Sequence, residues 1–390
     1  MRGWSADGGR GDPSPRLGTR SIRSASLAPW LISIGAVCAS AGCGSSFSSG
    51  GDAPGEACQG AALQCQPDGT ALECIDGTWT SLGPCPLGCD EQSLACHVPS
   101  NVDASLFSEA SSVVVALPSS EPLVFDTDTG AISAGDDVLR PAGEGLDESS
   151  GVAFSVRDQR AEGPSLGVFT LAGLEVAAGA IARGVGNNAL VLLVAGDVTI
   201  DGTFEVAADK QVPGPGGWAG GNPSAPGAGP GGGGVGQGVV VTDTEYCASS
   251  GGGGGFFGPG GSGGPCACAA PNDYAAGAAG ATYGTEQLIP LIGGSGGAGG
   301  TIAVGNATES LAGPGGGGGG ALQISATGEL TIGSNGIVHA GGGGGGGCEN
   351  ASGAGGGAGG AILLEAPNVT VAVGAVLAAN GGGGGGGDCA

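Results

Sequence analysis

Basic residues are scarce. Ten Lys and Arg stand against 35 Asp and Glu in 390 residues, a formal charge of −25. Five of the ten, Arg2, Arg10, Arg16, Arg20 and Arg23, lie within the first 23 residues, and none follows Lys210. Nucleic-acid binding needs a basic groove, and electrostatic docking on anionic lipid needs a basic patch; this chain can build neither. Histidine is limited to His97 and His339, which, with the shortage of Lys and Arg, argues against an enzyme. Aromatics make up 4% of the chain and there is one Met. The apolar stretch Leu27–Val37 is interrupted by Pro29 and falls short of the ~20 residues a membrane span requires.

Glycine fills the space these residues leave. It accounts for 93 of the 390 residues, and for 64 of the 180 from residue 211 onward. The glycines come in runs and not at every third position, which excludes collagen.

The N-terminus reads as an export signal over residues 1–42, an Arg-rich segment followed by the Leu27–Val37 apolar region. Ser40-Ala41-Gly42-Cys43 resembles the bacterial lipobox, with Ser40 where that motif prefers Leu. The resemblance implies diacylation of Cys43 as the first mature residue, and Gly44 after it implies outer-membrane sorting. Ala39-Ser40-Ala41 offers ordinary signal peptidase a competing site and hence a secreted protein. The Gly/Ser-rich stretch that follows, 43–57, suits a tether and favours the anchor. Loss of residues 1–42 leaves five cations against 33 acids.

Residues 58–98 carry six Cys: Cys58, Cys65, Cys74, Cys85, Cys89 and Cys96. An exported module of this size lacks the apolar surface to fold alone, so three internal disulfides are expected, with fifteen connectivities open. Zinc on Cys85, Cys89 and His97 is the alternative. Asp76-Gly77 predicts a hairpin turn. Trp79 could stack on a sugar or cover a disulfide. Residues 99–165 are acidic and Ser-rich with short β-prone runs. Asp126-Thr127-Asp128-Thr129-Gly130 places its Gly at the wrong position for an EF-hand, so a hairpin turn is expected there as well.

From 166 to 390 the chain repeats. Ala321–Ala326, Leu330–Ile332, Ile337–Ala340, seven Gly and Cys348 recur 40 residues later as Ala361–Ala366, Val369–Val371, Ala375–Ala378, seven Gly and Cys389. An earlier copy begins at Ala189. Such self-similarity predicts stacked coils, a mainly β fold of β-helix or solenoid kind. The inward residues expected are Leu190, Leu192, Val198, Ile200, Phe204, Leu322, Ile324, Leu330, Ile332, Ile362, Leu364, Val369 and Val371. The glycine runs are read as extended polyglycine-II-type rods that bond to one another through their backbones. Cys247, Cys266, Cys268, Cys348 and Cys389 flank the runs as further disulfide candidates.

The lipobox, the six-Cys module and the closing elements Gln287–Ser295 and Gly360–Pro367 together resemble Gly-rich surface lipoproteins of myxobacterial type. In composition the runs are similar to polyglycine-II adhesins of phage tails. The resemblance implies location and no activity.

Catalytic motifs fare poorly. Gly260–Gly264 and Gly293–Gly297 both satisfy G-x-S-x-G, but a nucleophile elbow needs a His partner and a strand–turn–helix setting. Asp197, Thr199, Asp201, Thr203 and Glu205 would share one face if Asp197–Glu205 were a single strand. Their spacing along it does not suit a glycosidase pair, so a solvated face is expected. No catalytic, cofactor or metal residue is assigned. The expected role is structural, adhesive or display on the cell envelope. A polysaccharide-active or carbohydrate-binding β-helix is the alternative. Expected partners are the membrane, through the anchor, and extracellular polysaccharide or surface proteins, with no nucleic acid.

Overall fold

Alternation of apolar and small residues over three short runs per repeat gives the chain many brief strands and nothing that favours helix. The computed structural model describes residues 53–60, 62–67, 69–90, 92, 94–109, 114–117, 121–159, 163–240, 246–266, 274–302, 312–347 and 351–387. The signal, Cys43, Cys268, Cys348 and Cys389 lie outside these residues. The fold is mainly β.

The six-Cys region holds strands β1 (Leu63–Cys65), β2 (Thr70–Ile75) and β3 (Thr78–Pro84) in one antiparallel sheet, and β4 (Cys89–Asp90) paired with β5 (Ala95–Cys96). The β2–β3 turn is Asp76-Gly77, both with positive φ (53° and 78°), as a type I′ hairpin requires. Disulfides join Cys58 to Cys74, Cys65 to Cys89 and Cys85 to Cys96. With Cys85 and Cys89 each bridged, neither offers a thiolate to zinc.

A 3-10 turn, Ala104–Glu109, leads into β6 (Val114–Leu117), β7 (Leu123–Asp126), β8 (Ile132–Ala134), β9 (Asp137–Arg140), β10 (Gly145–Asp147) and β11 (Val152–Arg157). Then follow four triplets of strands. The first is β12 (Leu166–Leu171), β13 (Gly173–Val176) and β14 (Ile181–Val185). The second is β15 (Ala189–Val194), β16 (Val198–Ile200) and β17 (Thr203–Glu205). After the β18 (Gly238–Val240) and β19 (Tyr246–Ala248) hairpin come β20 (Ala321–Ala326), β21 (Glu329–Ile332) and β22 (Ile337–His339), then β23 (Ala361–Glu365), β24 (Asn368–Val371) and β25 (Val376–Ala378).

Each triplet adds one strand to each of three sheets. The first strands pair in parallel as β12-β15-β20-β23, the second as β13-β16-β21-β24 and the third as β14-β17-β22-β25. Because register is kept, like residues form columns. Phe169, Leu192, Ile324 and Leu364 align in the first sheet, and Leu174, Val198, Leu330 and Val369 in the second. One apolar core lies between the sheets, with Phe125, Phe154, Phe169 and Phe204 at its N-terminal end. Phe125 and Phe169 meet edge to face at 5.4 Å.

The first sheet is covered on its outer side too. Val168, Val191 and Leu193 pack there with Leu106, Phe107, Phe256 and Leu87 of the six-Cys region. Burial on both faces explains why β15 reads Ala-Leu-Val-Leu-Leu-Val without alternation.

Two sequence readings are corrected. Asp197–Glu205 is not one strand: the chain turns at Asp201-Gly202 between β16 and β17, which belong to different sheets. Val369 and Val371 sit in inward columns yet are 43% and 47% exposed, because among the described residues β24 has a strand on one side only.

The glycine runs bond to neighbouring segments with a period of three. In Gly315–Gly320 the N–H groups of Gly315 and Gly318 donate to Gly221 and Trp218, those of Gly316 and Gly319 to Gly355 and Ala358, and those of Gly317 and Gly320 to Lys210 and Val206. Gly382 and Gly385 donate to Gly357 and Ala354 in the same rhythm. Neighbours approach so closely that a methyl group at Gly318 would overlap the carbonyl of Gly294. Cys247 and Cys266 form a disulfide at the edge of this region.

Candidate functional site

The two ends of the strand stack are built differently. At the N-terminal end the first and third sheets stop in antiparallel hairpins, β10–β11 on β12 and β8–β9 on β7. Arg140 locks them together. Its side chain is buried (2% exposed), and its guanidinium donates to the carbonyls of Gly130, Pro141, Gly143, Gly145 and Val152 at 2.6–3.1 Å. Burial lowers its pKa and nearby Asp147 opposes that shift; Arg remains protonated across any working pH. Asp147 is itself held below its ordinary value, chiefly by hydrogen bonds from Ser150 and Ser149. The outermost strands here, β9 and β10, are short and carry one acid each, Asp137 and Asp147, beside the exposed Val138, Leu139 and Leu146.

The C-terminal end has no such cover among the described residues. Strands β23, β24 and β25 are each paired on one side only. Val369, Val371 and Leu377 are 43%, 47% and 45% exposed, whereas their register partners Leu330, Ile332 and Val338 are fully buried. The region 351–387 contains one charged residue, Glu365. That carboxylate accepts hydrogen bonds from Ser325 (2.8 Å), Gln323 (2.9 Å) and Ser100, which ties the segment after the six-Cys region to β20 and β23. Asn101 extends the network to Gln323 and to the Leu288 carbonyl.

Beside this end lies an open groove of about 430 Å³. Ile362 and Ala379 line it together with Phe256, Phe257, Pro259 and Leu288. Phe257 is 54% exposed. An aromatic row supports it from within: Phe257 contacts Phe256, Phe256 contacts Tyr283 and Tyr283 contacts Trp218, at 6.3, 5.1 and 5.8 Å between ring centres. Tyr283 donates to the Gly293 carbonyl (2.7 Å) and accepts from Ser295 (3.0 Å). Burial pushes its phenol well above the usual tyrosine value. The composition hides this row, but Phe256-Phe257 standing between Gly255 and Gly258 in an aromatic-poor chain was a usable signal.

The residues singled out from sequence are dispersed. Ser295, the centre of one G-x-S-x-G, is fully buried and accepts the Gly231 N–H at 2.9 Å, a structural role; Ser262, the centre of the other, is exposed. Asp126 accepts from the N–H groups of Asp128 and Thr129, and Asp128 from Asn187, so this acidic loop closes a turn between β7 and β8. Asp197 caps the Glu329 N–H at 2.8 Å, while Glu205 pairs with Arg183. These acids accept from backbone N–H groups, from Asn187 and from Arg183, and no group of three or more His, Cys, Asp or Glu with metal-binding geometry occurs among the described residues. Four disulfides indicate an oxidising compartment. No helix among the described residues is long and apolar enough to cross a membrane. Comparison with protein-family models, with curated proteins and with solved structures returned no match for this chain.

Proposed function

We propose that the chain is an exported, lipid-anchored envelope protein whose role is structural or adhesive: a stiff, acidic element that holds a surface away from the membrane. In this reading the repeat region from residue 166 is a β-helix or solenoid, and the glycine runs are polyglycine-II-type rods packed along it. The observation that carries it is the three-way bonding of Gly315–Gly320 to separate neighbours. Three residues per turn is the symmetry of an extended glycine helix, and a bundle bonded on every side resists bending without any side chains. Four disulfides support export, and Cys43 followed by a Gly/Ser tether supports the anchor. Three acyl chains in total would hold firmly where one would be marginal. The role is non-catalytic.

Labelled palmitate should mark the wild-type chain and not Cys43→Ser, and globomycin should block maturation. A mature N-terminus at Gly42 contradicts the anchor. A second reading, carbohydrate binding, is favoured by the exposed Phe257 in its groove, since sugars stack on exposed rings. A glycan array on the whole chain tests it, with Phe257→Ala abolishing any signal that depends on the groove.

A further inference from the structure

We propose that a pocket on the outer side of the first sheet, at its N-terminal end, binds a small zwitterion: a primary ammonium joined to a carboxylate or phosphate. The inference does not depend on the lipid anchor or on the adhesive role. Every residue that lines the pocket lies between Ser108 and Arg157.

The pocket arises from the way the first sheet is covered. Val152, Phe154 and Val156 of β11 point into the core, so alternation sends Ala153, Ser155 and Arg157 to the outer face. The register sets Leu146 of β10 beside Ala153, and Val168 and Leu166 of β12 beside Ser155 and Arg157. Leu106 and Phe107 of the 3-10 turn pack with Leu166 and Val168. Beside the end of that turn the face opens into a pocket of about 510 Å³, lined by Ser108, Glu109, Glu144, Leu146, Ser155 and Arg157. Sites for small ligands have volumes of this order.

Two of these groups lack a partner. Ser155 is only 9% exposed, yet its hydroxyl bonds to no described residue, and its side chain lines the pocket. Buried hydroxyls are ordinarily hydrogen-bonded, so this one is an open position for a bound molecule. Arg157 lies two residues further along the same face. Its side chain is exposed and has neither an ion pair nor a hydrogen bond among the described residues. By contrast, Arg140 is enclosed by carbonyls and Arg183 is paired with Glu205. A free guanidinium takes a carboxylate or phosphate through two parallel bonds.

The charge of the chain decides what can carry that anion. At −25 overall, the protein's field keeps free anions away. A molecule with no net charge meets no such barrier. Glu109 and Glu144 line the same pocket and supply acceptors for an ammonium. One Glu144 oxygen faces the Val156 N–H at 3.5 Å, which leaves the other for a ligand. The ligand thus sets its anion on Arg157 and Ser155 and its ammonium on Glu109 and Glu144. Leu146, 49% exposed, offers apolar surface to the short carbon chain between them. A free amino acid or short peptide has this chemistry, and so does the phosphoethanolamine headgroup of a lipid.

Calorimetric titration of the lipid-free full chain carrying Cys43→Ser tests the site, with O-phosphoethanolamine, L-alanyl-L-alanine, ethanolamine and inorganic phosphate as probes. At least one of the two zwitterions should bind saturably, on the order of tenfold more tightly than ethanolamine or phosphate, because its two ends engage together. Arg157→Gln should weaken that binding by about tenfold or more, and Ser155→Ala by about two- to tenfold. Replacing both acids, Glu109→Gln with Glu144→Gln, should weaken the zwitterion and strengthen inorganic phosphate, a reversal that misfolding would not produce. Phe257→Ala, in the other groove, should change neither. Flotation with vesicles separates the sources. Retention on phosphatidylethanolamine but not on phosphatidylcholine assigns the ligand to lipid, and binding of the soluble zwitterions without retention assigns it to a free solute. No binding of either zwitterion, equal binding of phosphate or ethanolamine, or an affinity indifferent to both Arg157→Gln and Ser155→Ala would overturn the proposal.

Discussion

The strand stack and the glycine bundle solve one problem by opposite means. In the stack, order comes from side chains: Leu, Ile, Val and Phe columns fill the space between three sheets. Each fully buried aliphatic side chain contributes about 1.5–3 kcal/mol. In the bundle no side chain is available, and glycine loses the most backbone entropy on ordering. What remains is the backbone itself, and there the N–H groups of a run such as Gly315–Gly320 end in carbonyls of three neighbouring segments, around Val206–Lys210, Trp218–Gly221 and Gly355–Ala358. The stack therefore tolerates substitutions that preserve volume, while the bundle tolerates none that add a Cβ toward a neighbour.

Deleting core volume should hurt the stack most. Leu330→Ala removes a fully buried side chain from the second sheet, and we expect a loss of about 3–5 kcal/mol in denaturant unfolding. Val369→Ala, on the next strand of the same column, should cost under about 1 kcal/mol, because Val369 is already half exposed. Equal losses would show that β24 is covered.

Arg140→Met should cost somewhat less, about 3 kcal/mol, by leaving the carbonyls of Gly130, Pro141, Gly143, Gly145 and Val152 without their donor. Hydrogen exchange should rise in β8 to β11 before it rises in the glycine runs. Simultaneous exchange in both would mean that stack and bundle unfold as one unit.

Tyr283 joins the two regions, and its effect is confined to alkaline pH. Its folded pKa lies above the ordinary value of 10.0, because burial disfavours the phenolate. The folded chain thus keeps a proton that the unfolded chain releases above pH 10. Stability should be unaffected below that pH and should fall by about 1.4 kcal/mol per pH unit as pH rises past it. Tyr283→Phe should remove this component from the alkaline slope, at the cost of the bond to the Gly293 carbonyl. An unchanged slope would place Tyr283 in contact with solvent.

Much of the stack was legible because a period of 40 residues and alternation within each run both point inward at the same positions. Leu322, Ile324, Leu330 and Ile332 lie where the pattern places them. The Asp76-Gly77 and Asp126–Gly130 turns were legible for a local reason, the side-chain and backbone preferences of Asp and Gly in tight hairpins. Arg140 was not, because its five acceptors come from separate turns that meet only after the sheets form. Asp197–Glu205 misled because alternation continues through Asp201-Gly202 while the chain passes from one sheet to another. The pairing of the six Cys was equally closed to inspection, since spacing alone does not choose among fifteen arrangements. In the glycine runs the difficulty is deeper: seven identical residues carry no phase, and which of them face a neighbour is set by the surrounding runs.

That phase is also the most direct test of the account. A methyl group at Gly343 would overlap the carbonyl oxygen of Lys210, whereas at Gly344 it would find only the Gly383 oxygen at 3.7 Å, an ordinary contact. Thermal and denaturant unfolding of Gly343→Ala and Gly344→Ala should therefore separate two neighbouring, chemically identical changes. Gly343→Ala should lose about 1–3 kcal/mol, as overpacking does, and Gly344→Ala should match the parent or exceed it slightly through reduced unfolded-state entropy. Equal stability of the two variants would contradict a packed glycine bundle.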